Sequence, residues 1–144
     1  MEKYSAYADR DIAGRERLED ACEVALLTTA GGLELQVGIV CDGVGGHDSG
    51  EVASYVAIQT ILRVMRTSRE RHIPKLLSDA IIEANDAIRY RFEGKASNQR
   101  GSTTVAMYAI DTSDGDWGRL FIASVGDSRI YLLRPADDDD PVYE

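Results

Sequence analysis

The chemistry-bearing residues that stand out first are an aspartate and closely spaced glycines in the run Asp42-Gly43-Val44-Gly45-Gly46-His47. A strand that ends on an aspartate fixes that carboxylate in space. The glycines after it leave backbone carbonyls open to a cation that side chains would otherwise block. Oxygen donors suit hard cations such as Mg²⁺ and Mn²⁺, which retain several of their waters. The run is not a Walker phosphate loop, because the G-x-x-x-x-G-K-[ST] pattern is absent. It is not a dinucleotide fingerprint either, because the spacing differs and an aspartate leads the loop. Alone, it also reads as a glycine-rich turn closing a strand.

Two further acidic elements matter. Glu19-Asp20 follows Arg15-Glu16-Arg17-Leu18, and Gly126-Asp127-Ser128-Arg129 sits between two apolar runs. Taken singly, the first is a solvated pair at a strand start, with Arg15 a surface arginine. The second, taken singly, is a hairpin turn. Cys22 and Cys41 lie inside apolar runs with no metal-ligand or redox spacing, so they read as small buried hydrophobes.

The elements that must position these residues follow from periodicity. Residues 23–29 and 33–41 are apolar and rich in β-branched side chains, and the glycine-containing step between them predicts a hairpin. A helix over about 50–70 places Val52, Val56, Ile58, Ile61, Leu62 and Met65 on one stripe, with Gln59, Arg63, Arg66 and Arg69 opposite. A second, over about 73–92, aligns Ile73, Leu77, Ile81, Ala84, Ile88 and Phe92 and stops at Gly94. Strands are predicted at 102–110, 119–125 and 129–134, with a polar turn over 111–118. Strands, then helices, then strands without regular alternation indicate an α+β fold with an antiparallel sheet.

Bulk properties narrow the function classes. At 144 residues, with 44% hydrophobic and 28% charged side chains, the chain has the size and composition of one globular domain. A net charge of −9 argues against nucleic acid as a partner. No apolar run is long enough to span a membrane, and the N-terminus lacks the order of a signal peptide, so a cytoplasmic location is expected. Residues 137–140 form an acidic run, which divides the chain into a domain over 1–134 and a flexible acidic tail over 135–144.

Four motifs occur in order: Arg15-x-x-Leu18-Glu19-Asp20; Asp42-Gly43-Val44-Gly45-Gly46-His47-x-x-Gly50-Glu51-x-Ala53-Ser54; Gly101-Ser102-Thr103-Thr104; and Gly126-Asp127-Ser128-Arg129. Together they resemble the N-terminal half of the PPM-type (type 2C) metal-dependent Ser/Thr protein phosphatases, especially the bacterial branch. The resemblance implies an antiparallel β-sandwich flanked by a pair of long helices, here about half to two-thirds of the family's fold. It implies phosphomonoester hydrolysis dependent on Mn²⁺ or Mg²⁺, with a phosphoprotein as substrate. By the same resemblance Asp42 bridges two metals and the Gly43 carbonyl ligates one. Glu19 and Asp20 hold metal-bound waters, Arg15 grips the substrate phosphate, and Asp127 ligates a third metal.

Two departures from the family pattern are visible. Val44 stands where many eukaryotic relatives carry a histidine proposed as general acid, and valine transfers no proton. His47 nearby reads as a loop or helix-start residue. The family's C-terminal half, with further metal-ligating aspartates, is absent, so weak metal binding and weak or no catalysis are expected of this chain alone. The alternative is a catalytically silent phosphatase-like module acting through protein contacts. A truncated sandwich would also expose apolar sheet surface, which predicts a homo-oligomer or a partner chain covering it.

Overall fold

The computed structural model describes residues 6–9, 19–46, 48–113 and 118–133. Arg15, His47 and the acidic tail over 135–144 lie outside the described residues.

The elements run β1 (Ala21–Thr28), β2 (Glu34–Cys41), β3 (Gly43–Gly45), α1 (Ser49–Thr67) and α2 (Ile73–Arg91). After a short 3₁₀ turn (Ser97–Gln99) come β4 (Gly101–Thr103), β5 (Val105–Asp111) and β6 (Arg119–Val125). The main sheet has the order β1-β2-β5-β6 and is antiparallel throughout, while β3 and β4 form a separate two-stranded ribbon. This is the expected α+β architecture, with two helices laid on one face of the sheet.

Alternation decides which face is covered. Leu35, Val37, Ile39 and Cys41 of β2 and Val105, Met107 and Ala109 of β5 point to one side and are buried. Ala57, Ile58, Ile61, Leu62 and Met65 of α1 and Leu76, Leu77 and Ala80 of α2 pack onto them in one cluster. Each buried Leu, Ile or Met contributes about 1.5–3 kcal/mol relative to exposure. The expected helical stripes match this face, except that Val52, Val56, Ile81 and Ile88 are half-buried and Ala53, Ala57 and Leu76 take the deepest places.

The β1–β2 hairpin is anchored at its tip. Thr29 and Leu33 close the loop, with Thr29 N–H donating to the Leu33 carbonyl at 2.9 Å. Beyond the loop, Ala30 N–H donates to the Arg66 carbonyl and Gly31 N–H to the Ser68 carbonyl, each at 3.0 Å. These bonds satisfy carbonyls at the end of α1 that have no partner inside the helix. The helix ends at Thr67, short of residue 70, because Ser68 turns extended and its Oγ accepts the Glu70 N–H at 3.1 Å.

Two sequence expectations are corrected. The strand expected at 102–110 is broken at Thr104 into β4 and β5, one in each sheet. The strand expected at 129–134 is absent over its described part, 129–133. Gly126 adopts a positive φ of 101°, and Ser128 bonds to Thr104, so the chain leaves β6 and turns back over the sheet. Ser128, Ile130 and Tyr131 then border a cavity of about 400 Å³ against Val24, Val40 and Tyr108 on the face opposite the helices.

Candidate active site

Ladder register brings the acidic motifs to one end of the sheet. Ala21 pairs with Cys41, so Asp20 and Asp42 are the next pair outward. Val40 pairs with Ala106 in the main sheet and Gly43 with Thr103 in the ribbon, and the same register sets Asp42 opposite Thr104. Val105 pairs with Val125, which sets Thr104 opposite Gly126. Positions 20, 42, 104 and 126 therefore form a row across all four strands, with Glu19, Gly43 and Asp127 beside it.

Asp42 sits at the seam where one strand passes from the main sheet into the ribbon, and Thr104 at the matching seam of its partner. Its peptide is held from both sides. The Asp42 N–H donates to Thr104 Oγ1 at 3.0 Å, and the Asp42 carbonyl accepts from Thr104 N–H at 2.9 Å. The same carbonyl accepts the Thr103 hydroxyl at 2.9 Å. Cys41, next in the chain, is fully buried. Burial pushes its thiol up to about 12, a hydrogen bond with Thr103 notwithstanding, so it stays protonated at neutral pH.

The glycine loop is packed where it meets the start of α1. A Cβ at Gly43 would collide with the backbone carbonyls of Gly50 and Glu19, so only glycine lets the three segments approach. The Glu19 carboxylate lies against Gly50, 3.0 Å from where a Cβ there would stand. The Glu19 carbonyl accepts the hydroxyl of Ser54, a residue buried in α1, at 2.7 Å. Ser49 Oγ donates to the Gln99 carbonyl at 3.0 Å, tying the helix start to the 3₁₀ turn ahead of β4.

The expected site residues thus fall into two groups. Glu19, Asp20, Asp42, Gly43 and Asp127 come to one end of the sheet, with Asp127 exposed on the turn after β6. Arg15 lies outside the described residues. Among the described residues, no three His, Cys, Asp or Glu side chains converge closely enough to form a metal-binding group. The oxygen donors present, carboxylates and carbonyls, fit a hard cation in kind. Sequence reasoning assigned no role to Ser54, Thr104 or Ser128. A hydroxyl on the apolar face of a helix is the signal that marks Ser54. Thr104 and Ser128 stand within two of the four motifs, but nothing local there says what their hydroxyls bond to.

This chain belongs to the protein phosphatase 2C family, whose model matches residues 14–140. It is 34% identical over 101 residues to the serine/threonine phosphatase stp of Listeria monocytogenes serotype 4b (strain F2365), which covers 67% of this chain and 38% of that protein. The crystal structure of the Mycobacterium tuberculosis serine/threonine phosphatase PstP/Ppp superposes with a TM-score of 0.55 at 26% identity, over 80% of this chain and 43% of that one. A second solved structure, the PstP catalytic domain in complex with two manganese ions, shares the fold at a TM-score of 0.50 and 23% identity, over 76% of this chain and 48% of that one. The chain therefore spans less than half the length of these phosphatases.

Proposed function

We propose that this chain carries the N-terminal part of a divalent-metal site for hydrolysing phosphoserine and phosphothreonine in protein substrates. The observation that carries this reading is the row at the sheet end, in which the register sets position 20 opposite position 42 and ends one residue before Asp127. Membership of the phosphatase 2C family supports the reaction class. The manganese in the solved relative makes Mn²⁺ the cation to test first, with Mg²⁺ second.

In this reading the Asp42 carboxylate and the Gly43 carbonyl hold the cations, Glu19 and Asp20 hold their waters, and Asp127 serves a further, weaker site. Arg15 suits the substrate phosphate, because its planar guanidinium donates two parallel hydrogen bonds to phosphate oxygens. Bound ions would supply an activated water and neutralise charge developing on the phosphoryl group. The test is p-nitrophenyl phosphate hydrolysis with added Mn²⁺, comparing wild type and Asp42→Ala. Mn²⁺-dependent turnover that Asp42→Ala abolishes is the expected result. No turnover, with millimolar or absent Mn²⁺ affinity by calorimetry, would instead support a silent, protein-binding role.

One observation favours a contact role alongside either outcome. On the sheet face away from the helices, Leu26 and Val40 are 76% and 50% exposed. Leu120 and Ile122 of β6 are also exposed on this face. An apolar sheet face of this kind is normally covered. We therefore place a second copy or a partner chain on it. A cytoplasmic setting fits two cysteines that form no disulfide. No helix among the described residues is long and apolar enough to cross a membrane.

A further inference from the structure

The geometry points to Thr104 as the positioning residue of the candidate metal site, one that fixes the Asp42 peptide and ties the Gly126-Asp127-Ser128 turn to it. The inference rests on the metal-site reading above but assigns a residue outside that ligand set.

Asp42 lies two positions past the last pair of β2 with β5, Val40 with Ala106, and one before the first pair of β3 with β4. At such a seam neither ladder serves its peptide. Thr104 serves both ends of it, accepting the Asp42 N–H on Oγ1 at 3.0 Å and donating its own N–H to the Asp42 carbonyl at 2.9 Å. The hydroxyl does a second job. Thr104 Oγ1 and Ser128 Oγ are 2.6 Å apart, a short hydroxyl–hydroxyl bond next to Asp127. A threonine oxygen can accept from one group and exchange a hydrogen bond with another, so one side chain satisfies both partners. Its methyl contributes too, because a Cβ at Gly126 would stand 2.7 Å from Thr104 Cγ2, so the turn packs directly on this residue.

Thr104 thus joins Asp42 and the turn bearing Asp127 through one side chain. A carboxylate whose backbone is fixed loses less freedom on meeting a cation, and groups behind a ligand typically change metal affinity about 10–100-fold when removed.

Substitutions separate the hydroxyl from the methyl. Thr104→Val keeps the methyl and loses the hydroxyl, Thr104→Ser does the reverse, and Ser128→Ala cuts only the tie to the turn. The first readout is amide hydrogen exchange in the metal-free protein, with melting temperature confirming that each variant folds. Thr104→Val is expected to speed exchange at the Asp42 amide about tenfold or more, and at residues 126–128 as well. Thr104→Ser should keep Asp42 near wild type, and Ser128→Ala should loosen residues 126–128 while Asp42 stays protected. The second readout is Mn²⁺ affinity by calorimetry, expected to fall about tenfold or more in Thr104→Val and to recover in Thr104→Ser. Unchanged exchange at Asp42 in Thr104→Val would overturn the inference, as would Thr104→Ser behaving like Thr104→Val. Should Thr104→Val not fold, the Ser128→Ala and Thr104→Ser exchange patterns decide alone. A wild type that binds no Mn²⁺ would sink the metal-site reading, yet the exchange arm would still decide the role of Thr104.

Discussion

At the scale of single residues, the buried carboxylate at the far end of the sheet has a clear thermodynamic signature. Burial alone pushes the Asp111 carboxyl up. Hydrogen bonds from the Ser113 N–H at 3.1 Å and from Arg119 Nη2 at 2.8 Å outweigh that and hold it below the ordinary carboxylate range. A group depressed in the folded state stabilises the fold at pH above its unfolded value, about 3.9 for aspartate. That contribution is lost as pH falls through the lower folded value. Urea titrations between pH 3 and 7 should therefore show wild type losing stability below about pH 4 more steeply than Asp111→Asn. At pH 7 the substitution should cost about 1–3 kcal/mol, the usual penalty for breaking a buried hydrogen-bond pair. The two cysteines give a second residue-scale contrast. Cys22 is half-buried, whereas Cys41 is fully buried with its thiol near 12. Iodoacetamide is expected to label Cys22 at least about tenfold faster in the native state, with Cys41 reacting only on unfolding. Peptide mass spectrometry reads both sites.

At the scale of elements, α1 acts as a clamp between the entry to β1 and the hairpin tip. Ser54 is wholly buried, and its hydroxyl reaches the Glu19 carbonyl at 2.7 Å and the Glu51 carbonyl at 3.1 Å. Ser54→Ala leaves the Glu19 carbonyl short of a donor and should destabilise the protein by about 1–2 kcal/mol in chemical denaturation. Much of this element map was legible in sequence. The β1–β2 hairpin and both helices announced themselves through the apolar runs at 23–29 and 33–41 and the stripes through Ile61 and Leu77. The ribbon of β3 and β4 did not, because three residues a side carry no periodicity and pair only by virtue of the main sheet's register. Residues 129–133 are an apolar run after Arg129, rich in strand-favouring residues such as Ile130 and Tyr131, yet the Gly126 turn aims them over the sheet and away from its edge. In the candidate site, Asp42 was readable as an acid ahead of glycines. Thr104 was not, since its role arises from a partner 62 residues away.

For the whole molecule, the covered and uncovered faces of the sheet set its behaviour in solution. The helices bury the centre of one face, while Leu26, Val40, Leu120 and Ile122 leave the other partly apolar. A chain of net charge −9 repels its own kind at long range, so association through that face should strengthen as salt screens the repulsion. Light scattering coupled to size exclusion, at micromolar protein and rising ionic strength, is the measurement. A double change, Leu26→Lys with Ile122→Lys, is expected to hold the chain monomeric. A wild type that stays monomeric and binds no hydrophobic dye would remove the case for a covering partner.

The row at positions 20, 42, 104 and 126 has a last consequence, for the lengths that the chain can tolerate. Residues added in the 29–33 loop or between β5 and β6 lie outside the ladders and leave the row intact. One residue added within β2 is different. It would slide Asp42 past Asp20 and Thr104 and invert every following side chain in the strand. Homologous chains carrying a working site should therefore vary in length at the hairpin ends but keep the number of residues between Leu35 and Asp42 constant.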